Sequence, residues 1–338
     1  MPATRKSASP SAKKQKQASF WFDKDVVSVD QFNDVDAVHR LLEVADELRN
    51  RKTTTNILSG KVVALAFLEP STRTSCSFSA AAQRLGAGVI SMNAQDSSVT
   101  KGETLADSML CLASYADAIV LRHPRLGAAK EAAAAVSKPV INAGDGTGEH
   151  PTQALLDLYA IVHETQSRGK TFSESEKLNV TFLGDAKNGR TIHSLSKLLA
   201  RVMAGKVVFR YVTPAAVDLR MPAELIEKLK AAGVEQTEHN EMSDDIIKAT
   251  DVLYVTRVQK ERFSDAASYE EAMKASFRVT AEVASKMKSD AIIMHPLPRV
   301  DEISTDVDSD PRCAYFKQME NGMYVRMALL ATVLGALE

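Results

Sequence analysis

Val62-Val63-Ala64-Leu65-Ala66-Phe67, followed after three residues by Ser71-Thr72-Arg73-Thr74, is the stretch on which the fold reading turns. The first six residues are apolar without alternation. A strand of that kind is buried on both faces, as in a parallel sheet covered by helices. From Ser71 the pattern takes the helical period and stays amphipathic to Leu85. A strand therefore hands three hydroxyls and one guanidinium to a helix N-terminus. Free backbone N–H groups and the positive end of the helix dipole favour an anion there, and Arg73 can place two donors on phosphate oxygens. Ser and Thr at the head of an apolar periodic run also describe an ordinary N-cap, so this stretch alone leaves cradle and cap both open.

The same alternation extends in both directions. Helical periodicity covers Val35 to Leu48, and beyond Leu85 come a short strand at Val89-Ile90, a helix from Leu105 to Tyr115 and a strand at Ala118-Ile119-Val120-Leu121. An alanine-rich helix near Lys130 to Val136, a strand at Pro139-Val140-Ile141 and one long helix from His150 to His163 come next. A polar stretch, Gln166 to Lys177, resets the pattern. The second series runs Val180 to Leu183, a helix to Val202, Val207 to Phe209, a helix around Leu225 to Ala232, Val252 to Val255 and Ala291 to Met294. The expected architecture is α/β: two doubly wound parallel-sheet domains with helices on both faces and an active site in the cleft between them. The expected division is a basic tail over residues 1–19, a first domain over 20–155 and a second over 156–319. A last apolar helix, about 320–338, is expected to pack back on the first domain, although pattern alone does not choose.

Composition agrees with two domains: the chain has 338 residues, more than a single core usually serves, and 45% of them are hydrophobic. No apolar run is long enough for a transmembrane helix and none near the start resembles a signal peptide, so no membrane role is expected. Cys76, Cys111 and Cys313 are three scattered cysteines without Cys-x-x-Cys spacing. They suggest neither a disulfide framework nor a zinc site, and they fit a reducing compartment, with the cytoplasm as the expected location. Residues 1–20 carry five positive charges, Arg5, Lys6, Lys13, Lys14 and Lys16, and no acid, so of the net charge of −1 the remainder of the chain holds −6. That body is not a nucleic-acid binder by charge. The tail reads as solvated and disordered, and its basic, acid-free make-up also suits a targeting signal.

The ends of the strands carry the chemistry. Leu121 runs into Arg122-His123, Ile141 into Asn142-Ala143-Gly144-Asp145, and Leu183 into Gly184-Asp185 and then Arg190. Val255 runs into Thr256-Arg257-Val258-Gln259, and Met294 into His295-Pro296-Leu297-Pro298-Arg299. Any one arginine simply populates a loop, whereas four at the ends of separate strands point to substrates rich in negative charge. His123 and His193 read as structural, Cys76 as a small core residue and Glu270-Glu271 as a solvated face.

Ser71-Thr72-Arg73-Thr74, His150-Pro151-Thr152-Gln153, Thr256-Arg257-Val258-Gln259 and His295-Pro296-Leu297-Pro298, in this order, resemble the signatures of the aspartate carbamoyltransferase family, over about residues 20 to 338. The resemblance implies attack by the amine of L-aspartate on carbamoyl phosphate, giving N-carbamoyl-L-aspartate and phosphate in pyrimidine synthesis, with no metal and no cofactor. It puts Ser71, Thr72, Arg73, Thr74 and Arg122 on the phosphate. Thr74, Arg122 and His150 would donate to the carbonyl oxygen, and Gln153 would hold the carbamoyl NH₂. Such donors are typically worth about 3 kcal/mol each in a transition state. Arg190 would take the α-carboxylate of aspartate and Arg257 its side-chain carboxylate, supported by Gln259. The Pro296-Leu297 turn would orient the amine through the Leu297 carbonyl, and the departing phosphate is the expected base. The loop Ser97 to Glu103 would reach a neighbouring subunit's site with Ser97 or Ser98 and with Lys101, which implies a homotrimer with shared sites. Other pyrimidine-pathway enzymes are the partners it suggests, and the mobile element would be Thr256 to Phe263. An ornithine-specific relative, the nearest rival, would carry a cysteine where Pro296 stands.

Overall fold

The computed structural model describes residues 21, 23–51, 55–96, 98–214, 218–258, 265–267, 269–270 and 277–336. Its first sheet holds β1 (Val62–Phe67), β2 (Gly88–Asn93), β3 (Ala118–His123) and β4 (Val140–Asp145), all parallel, in the order β2-β1-β3-β4. Ala64 sits between Ile90 and Ile119 in the ladder. The apolar runs of β1 and β3 form the inner strands, buried on both faces; of the two edge strands β4 is equally buried, while β2 keeps partly exposed positions. The crossovers are α2 (Thr72–Arg84), α3 (Leu105–Ala113) and α4 (Ala128–Ala135).

The second sheet holds β5 (Leu178–Leu183), β6 (Val207–Val212), β7 (Glu235–His239), β8 (Val252–Val255) and β9 (Ile292–Met294), again parallel, ordered β7-β6-β5-β8-β9. Its helices include α6 (Arg190–Val202), α7 (Ala223–Ala231), α8 (Asp244–Ala249) and α9 (Ala281–Lys286). Strand β7 has no counterpart in the expected series. Its sequence, Glu-Gln-Thr-Glu-His, has no apolar run, and pairing with β6 at the sheet edge is what makes it a strand.

Two helices join the halves. α5 (Pro151–Gln166) and the last helix, α10 (Tyr315–Val333), are buried on nearly every side, as expected of helices without a polar face. α10 packs against α1 (Val35–Asn50), α2 and α5, all of the first half, with a smaller contact to β9. A division after residue 155 falls inside α5, which continues without a break to Gln166. The largest core cluster runs from Val63 and Phe78 through Leu155 and Leu330 to Phe182 and Tyr254, so the two halves share one hydrophobic interior. Smaller clusters fill the outer face of each sheet. No helix among the described residues is long and apolar enough to cross a membrane.

Candidate functional site

Each sheet has a switch point where the strand order reverses: between β1 and β3 in the first, between β5 and β8 in the second. Ligands of doubly wound sheets bind outside the carboxyl ends of strands at such points. Here the segments leaving all four strands line one cleft of about 790 Å³, joined by residues that come after β4 and β9. Among the described residues, five arginines line it, Arg73, Arg122, Arg190, Arg257 and Arg326, against a single carboxylate, Glu69. That balance suits ligands with several negative charges.

Ser71 stands at the head of α2 with extended φ of −159°, and its side chain makes no capping bond. By contrast Asp34, Thr104, Ser243 and Thr280 each cap their helix with a side-chain oxygen. The first N–H groups of α2 face the cleft without a side-chain cap, which fits a cradle for an external anion better than an ordinary cap. α5 repeats the arrangement, since His150 makes no side-chain cap, and α6 begins at Gly189, which has no side chain to cap with; both residues line the cleft. Three helix dipoles thus add their positive ends to the arginines.

Arg122, buried at the end of β3, donates from Nη1 to the Ala143 carbonyl at 3.0 Å. Its Nε lies 2.6 Å from Glu69 Oε2, a close ion pair without hydrogen-bond alignment. Gly144 makes room for this guanidinium: a Cβ there would sit 2.4 Å from Nη1, and its φ of +114° is a glycine conformation. Arg73, from the first turn of α2, donates from Nη2 to the Leu297 carbonyl at 2.7 Å and so spans the cleft. Burial, then the neighbouring Arg122 and Arg257, lower its pKa, a sign of how tightly positive charge is gathered.

His150 is buried, and its pKa is held well below the ordinary imidazole value by burial first and then by Arg122, Arg190 and Arg326. It is a neutral hydrogen-bond donor or acceptor at physiological pH rather than a cation. One turn into α5, Gln153 lines the cleft and donates from Nε2 to Asp157 Oδ1 at 2.9 Å. Across the cleft Arg190 opens α6 and donates to the Gly146 carbonyl, and Arg257 lies just past β8.

The turn after β9 is held from below. The Leu297 N–H donates to His295 Nδ1 at 2.7 Å, which puts the imidazole proton on Nε2, where it meets Glu302 Oε1 at 2.7 Å. Burial lowers the His295 pKa, in keeping with the neutral ring. Leu297 has a φ of +55°, unusual for a side chain branched at Cγ. Its N–H is held by His295 and its carbonyl by Arg73.

The cleft therefore gathers Ser71, Thr72, Arg73, Thr74, Arg122, His150, Gln153, Arg190, Arg257, Pro296 and Leu297. Lys101 is not among its lining residues; it is exposed, at the end of the turn Ser98–Lys101. Ser97 and Gln259 lie outside the described residues, as do residues 259–263 of the expected mobile loop. His123 accepts the Arg125 N–H on Nδ1, and His193 Nε2 meets the Ala186 carbonyl at 2.8 Å, both local structural bonds, whereas Cys76, expected in the core, lies on the exposed side of α2. Sequence reasoning passed over Glu69, Arg326 and Asp157. Arg326 is buried in α10, donates to Ser77 Oγ at 2.8 Å, lies over the Phe78 ring and leaves Nε without a partner. Burial lowers its pKa to about 10. The available signal was a lone charge in an apolar helix, Val325-Arg326-Met327-Ala328 and likewise Leu156-Asp157-Leu158.

Two family models match: the carbamoyl-P binding domain of aspartate/ornithine carbamoyltransferase over residues 24–163, and its Asp/Orn binding domain over 176–333. The chain is similar to multifunctional protein pyr1-3 of Dictyostelium discoideum, 49% identical over 316 residues, covering 93% of this chain but 14% of that protein. It is 44% identical over 314 residues to the aspartate carbamoyltransferase catalytic subunit of Picrophilus torridus, covering 92% of this chain and 98% of that one. Among solved structures, aspartate transcarbamoylase from Trypanosoma cruzi in complex with carbamoyl phosphate and aspartate superposes with a TM-score of 0.86 at 40% identity, covering 94% of this chain and 98% of the other.

Proposed function

The chain belongs to the aspartate/ornithine carbamoyltransferase family, on its aspartate carbamoyltransferase branch, and we propose from this that it moves the carbamoyl group of carbamoyl phosphate onto the amine of L-aspartate. The products are N-carbamoyl-L-aspartate and phosphate, an early step of UMP synthesis. The observation that carries this reading is the two-sided arginine cleft. Arg73 and Arg122, beside the uncapped head of α2, stand on one wall, and Arg190 and Arg257 on the other. The first pair suits a phosphate and the second suits two carboxylates. A cationic amino acid such as ornithine would meet repulsion from all four.

In this reading Ser71, Thr72, Arg73 and Thr74 hold the phosphate with Arg122. Thr74, Arg122 and neutral His150 donate to the carbonyl oxygen as charge develops on it. A neutral imidazole adds no positive charge that would hold the product. The Leu297 carbonyl, which accepts from Arg73 in this structure, is released when phosphate claims the guanidinium and then accepts from the attacking amine. The departing phosphate takes the amine proton.

The subunits act as a homotrimer with shared sites, to which Lys101 and either Ser97 or Ser98 of a neighbour contribute; the exposure of Lys101 away from its own cleft supports this. Mixed refolding of inactive Arg73→Ala and Lys101→Ala proteins restores activity if sites are shared, and proven hybrids without activity refute it. The unpaired cysteines support a cytoplasmic location, and the multifunctional relatives suggest other pyrimidine-pathway enzymes as partners. The activity test is ureido-product formation from carbamoyl phosphate with L-aspartate and L-ornithine in parallel. Turnover of aspartate alone, lost in Arg257→Ala, supports the proposal, and turnover of ornithine or of neither overturns it.

A further inference from the structure

Behind the cleft, the polar groups that do not face it converge on Asp157. This residue is fully buried on α5, one turn beyond Gln153. Its Oδ1 accepts from Gln153 Nε2 at 2.9 Å and from Gln318 Nε2 at 2.6 Å, and its Oδ2 accepts from the Tyr254 hydroxyl at 2.6 Å. Gln318 in turn accepts the His295 N–H at 3.0 Å on Oε1, so its amide is locked in one sense. Tyr254 is set by an edge contact of its ring with Phe182 at 5.8 Å. Gln318 and Tyr254 are therefore held from elsewhere, whereas the Gln153 amide is held by Asp157.

A side-chain amide has donors at one end and an acceptor at the other. With Nε2 committed to Asp157, the oxygen of Gln153 is turned away from it, toward the cleft that Gln153 lines. The opposite sense would press two acceptor oxygens together with no proton between them, at a position sealed from solvent. A proton on Asp157 belongs on Oδ2, beside the Tyr254 hydroxyl, because Oδ1 accepts from Gln318, whose sense is fixed independently by the His295 N–H.

We infer that Asp157 is a positioning residue that fixes the Gln153 amide with its oxygen in the cleft, so that the site demands an N–H group on the acyl carbon of its phosphate substrate. The inference rests on the reading of Gln153 as the group that holds the carbamoyl NH₂. Acetyl phosphate, which carries a methyl group in place of NH₂, leaves that buried oxygen unpaired. Discrimination between the two acyl phosphates thus depends on a residue that touches neither.

The experiment measures dissociation constants for carbamoyl phosphate and acetyl phosphate with the full-length protein and takes their ratio as the preference. Asp157→Ser, whose hydroxyl can donate as well as accept, lets the amide turn over and lowers the preference by about tenfold. Asp157→Asn keeps an oxygen at Oδ1 for both glutamines and an NH₂ toward Tyr254, and restores the preference to within about threefold of wild type. Gln153→Ala separates the two levels of the argument. If it keeps the wild-type preference, the reading of Gln153 fails. If it loses the preference while Asp157→Ser keeps it, the inference about Asp157 fails. Asp157→Asn binding as indiscriminately as Asp157→Ser also overturns the inference, and general damage to the fold would weaken both ligands alike without moving their ratio.

Discussion

Gly144→Ala tests whether the phosphate side of the cleft depends on where Arg122 is held, through a residue that meets no ligand. The added Cβ would lie 2.4 Å from Arg122 Nη1 and 3.1 Å from its Cζ. Ordinary contact between such atoms needs about 3.5 Å, so the guanidinium must retreat by roughly 1 Å. The Ala143 carbonyl and Glu69 hold it in its present place, and both contacts must give. A misplacement of that size at a reacting centre can cost about 100-fold in rate, or about 2.7 kcal/mol. Because φ at Gly144 is +114°, alanine also strains the backbone, at a cost on the order of 1–3 kcal/mol of stability. The assay is kcat/KM for carbamoyl phosphate at saturating aspartate, beside urea unfolding. The expected result is a folded variant with kcat/KM down about 100-fold and no further large loss when Arg122→Ala is added. A folded Gly144→Ala protein with wild-type kcat/KM would refute the reasoning, and so would full additivity with Arg122→Ala.

Gly184→Ala places its Cβ 2.2 Å from the Thr256 carbonyl oxygen at a φ of +118°. Backbone faces backbone there, so the ends of β5 and β8 must separate; a loss of about 3 kcal/mol or more in urea unfolding is expected, and an unchanged midpoint would sink the account. Arg326→Met removes a buried charge whose Nε has no partner, so stability should hold or rise, while affinity for carbamoyl phosphate falls about tenfold; lower stability with unchanged affinity is the contrary result. His150 is held neutral in the fold but takes its ordinary pKa of about 6.5 when unfolded, so its contribution is intact above pH 6.5 and lost as pH falls below it, at up to about 1.4 kcal/mol per pH unit. Asp157, pushed up to about 7 by burial, acts in the opposite direction, its folded-state penalty growing as pH rises from about 4 to 7. The decisive comparison is therefore thermal unfolding of wild type and His150→Asn between pH 7 and 5, where the variant should show the shallower fall and parallel curves would count against a neutral His150.

The arginine-bearing strand ends were legible because their information is local. A continuously apolar run announces a buried parallel strand, and the residues just past its end must lie at the carboxyl edge of the sheet, so Arg73, Arg122, Arg190 and Arg257 could be placed in a cleft before any contact was known, whereas Arg299, read in the same way after β9, does not line the cleft and pairs with Asp308 instead. The order of the strands was not local. The two reversals, β1 beside β3 and β5 beside β8, are what bring four separate segments to one place. Whether Ser71 caps its helix or leaves it open was also a matter of geometry, since the same residue type serves both. β7 escaped notice because its five residues become a strand only by pairing with β6.

By itself the sequence determined the fold class, the anionic character of the substrates and the family signatures, since each depends on neighbours along the chain. Only the tertiary structure decided that α10 returns to α1, α2 and α5 and buries Arg326 beside the phosphate side of the cleft. It likewise decided that Asp157, Gln318 and Tyr254, from three distant stretches, meet behind Gln153. The physical reason is the same for both: a lone charge in an apolar helix reveals that a partner must exist, because burial without one is too costly, but the partner is chosen by packing across the whole chain.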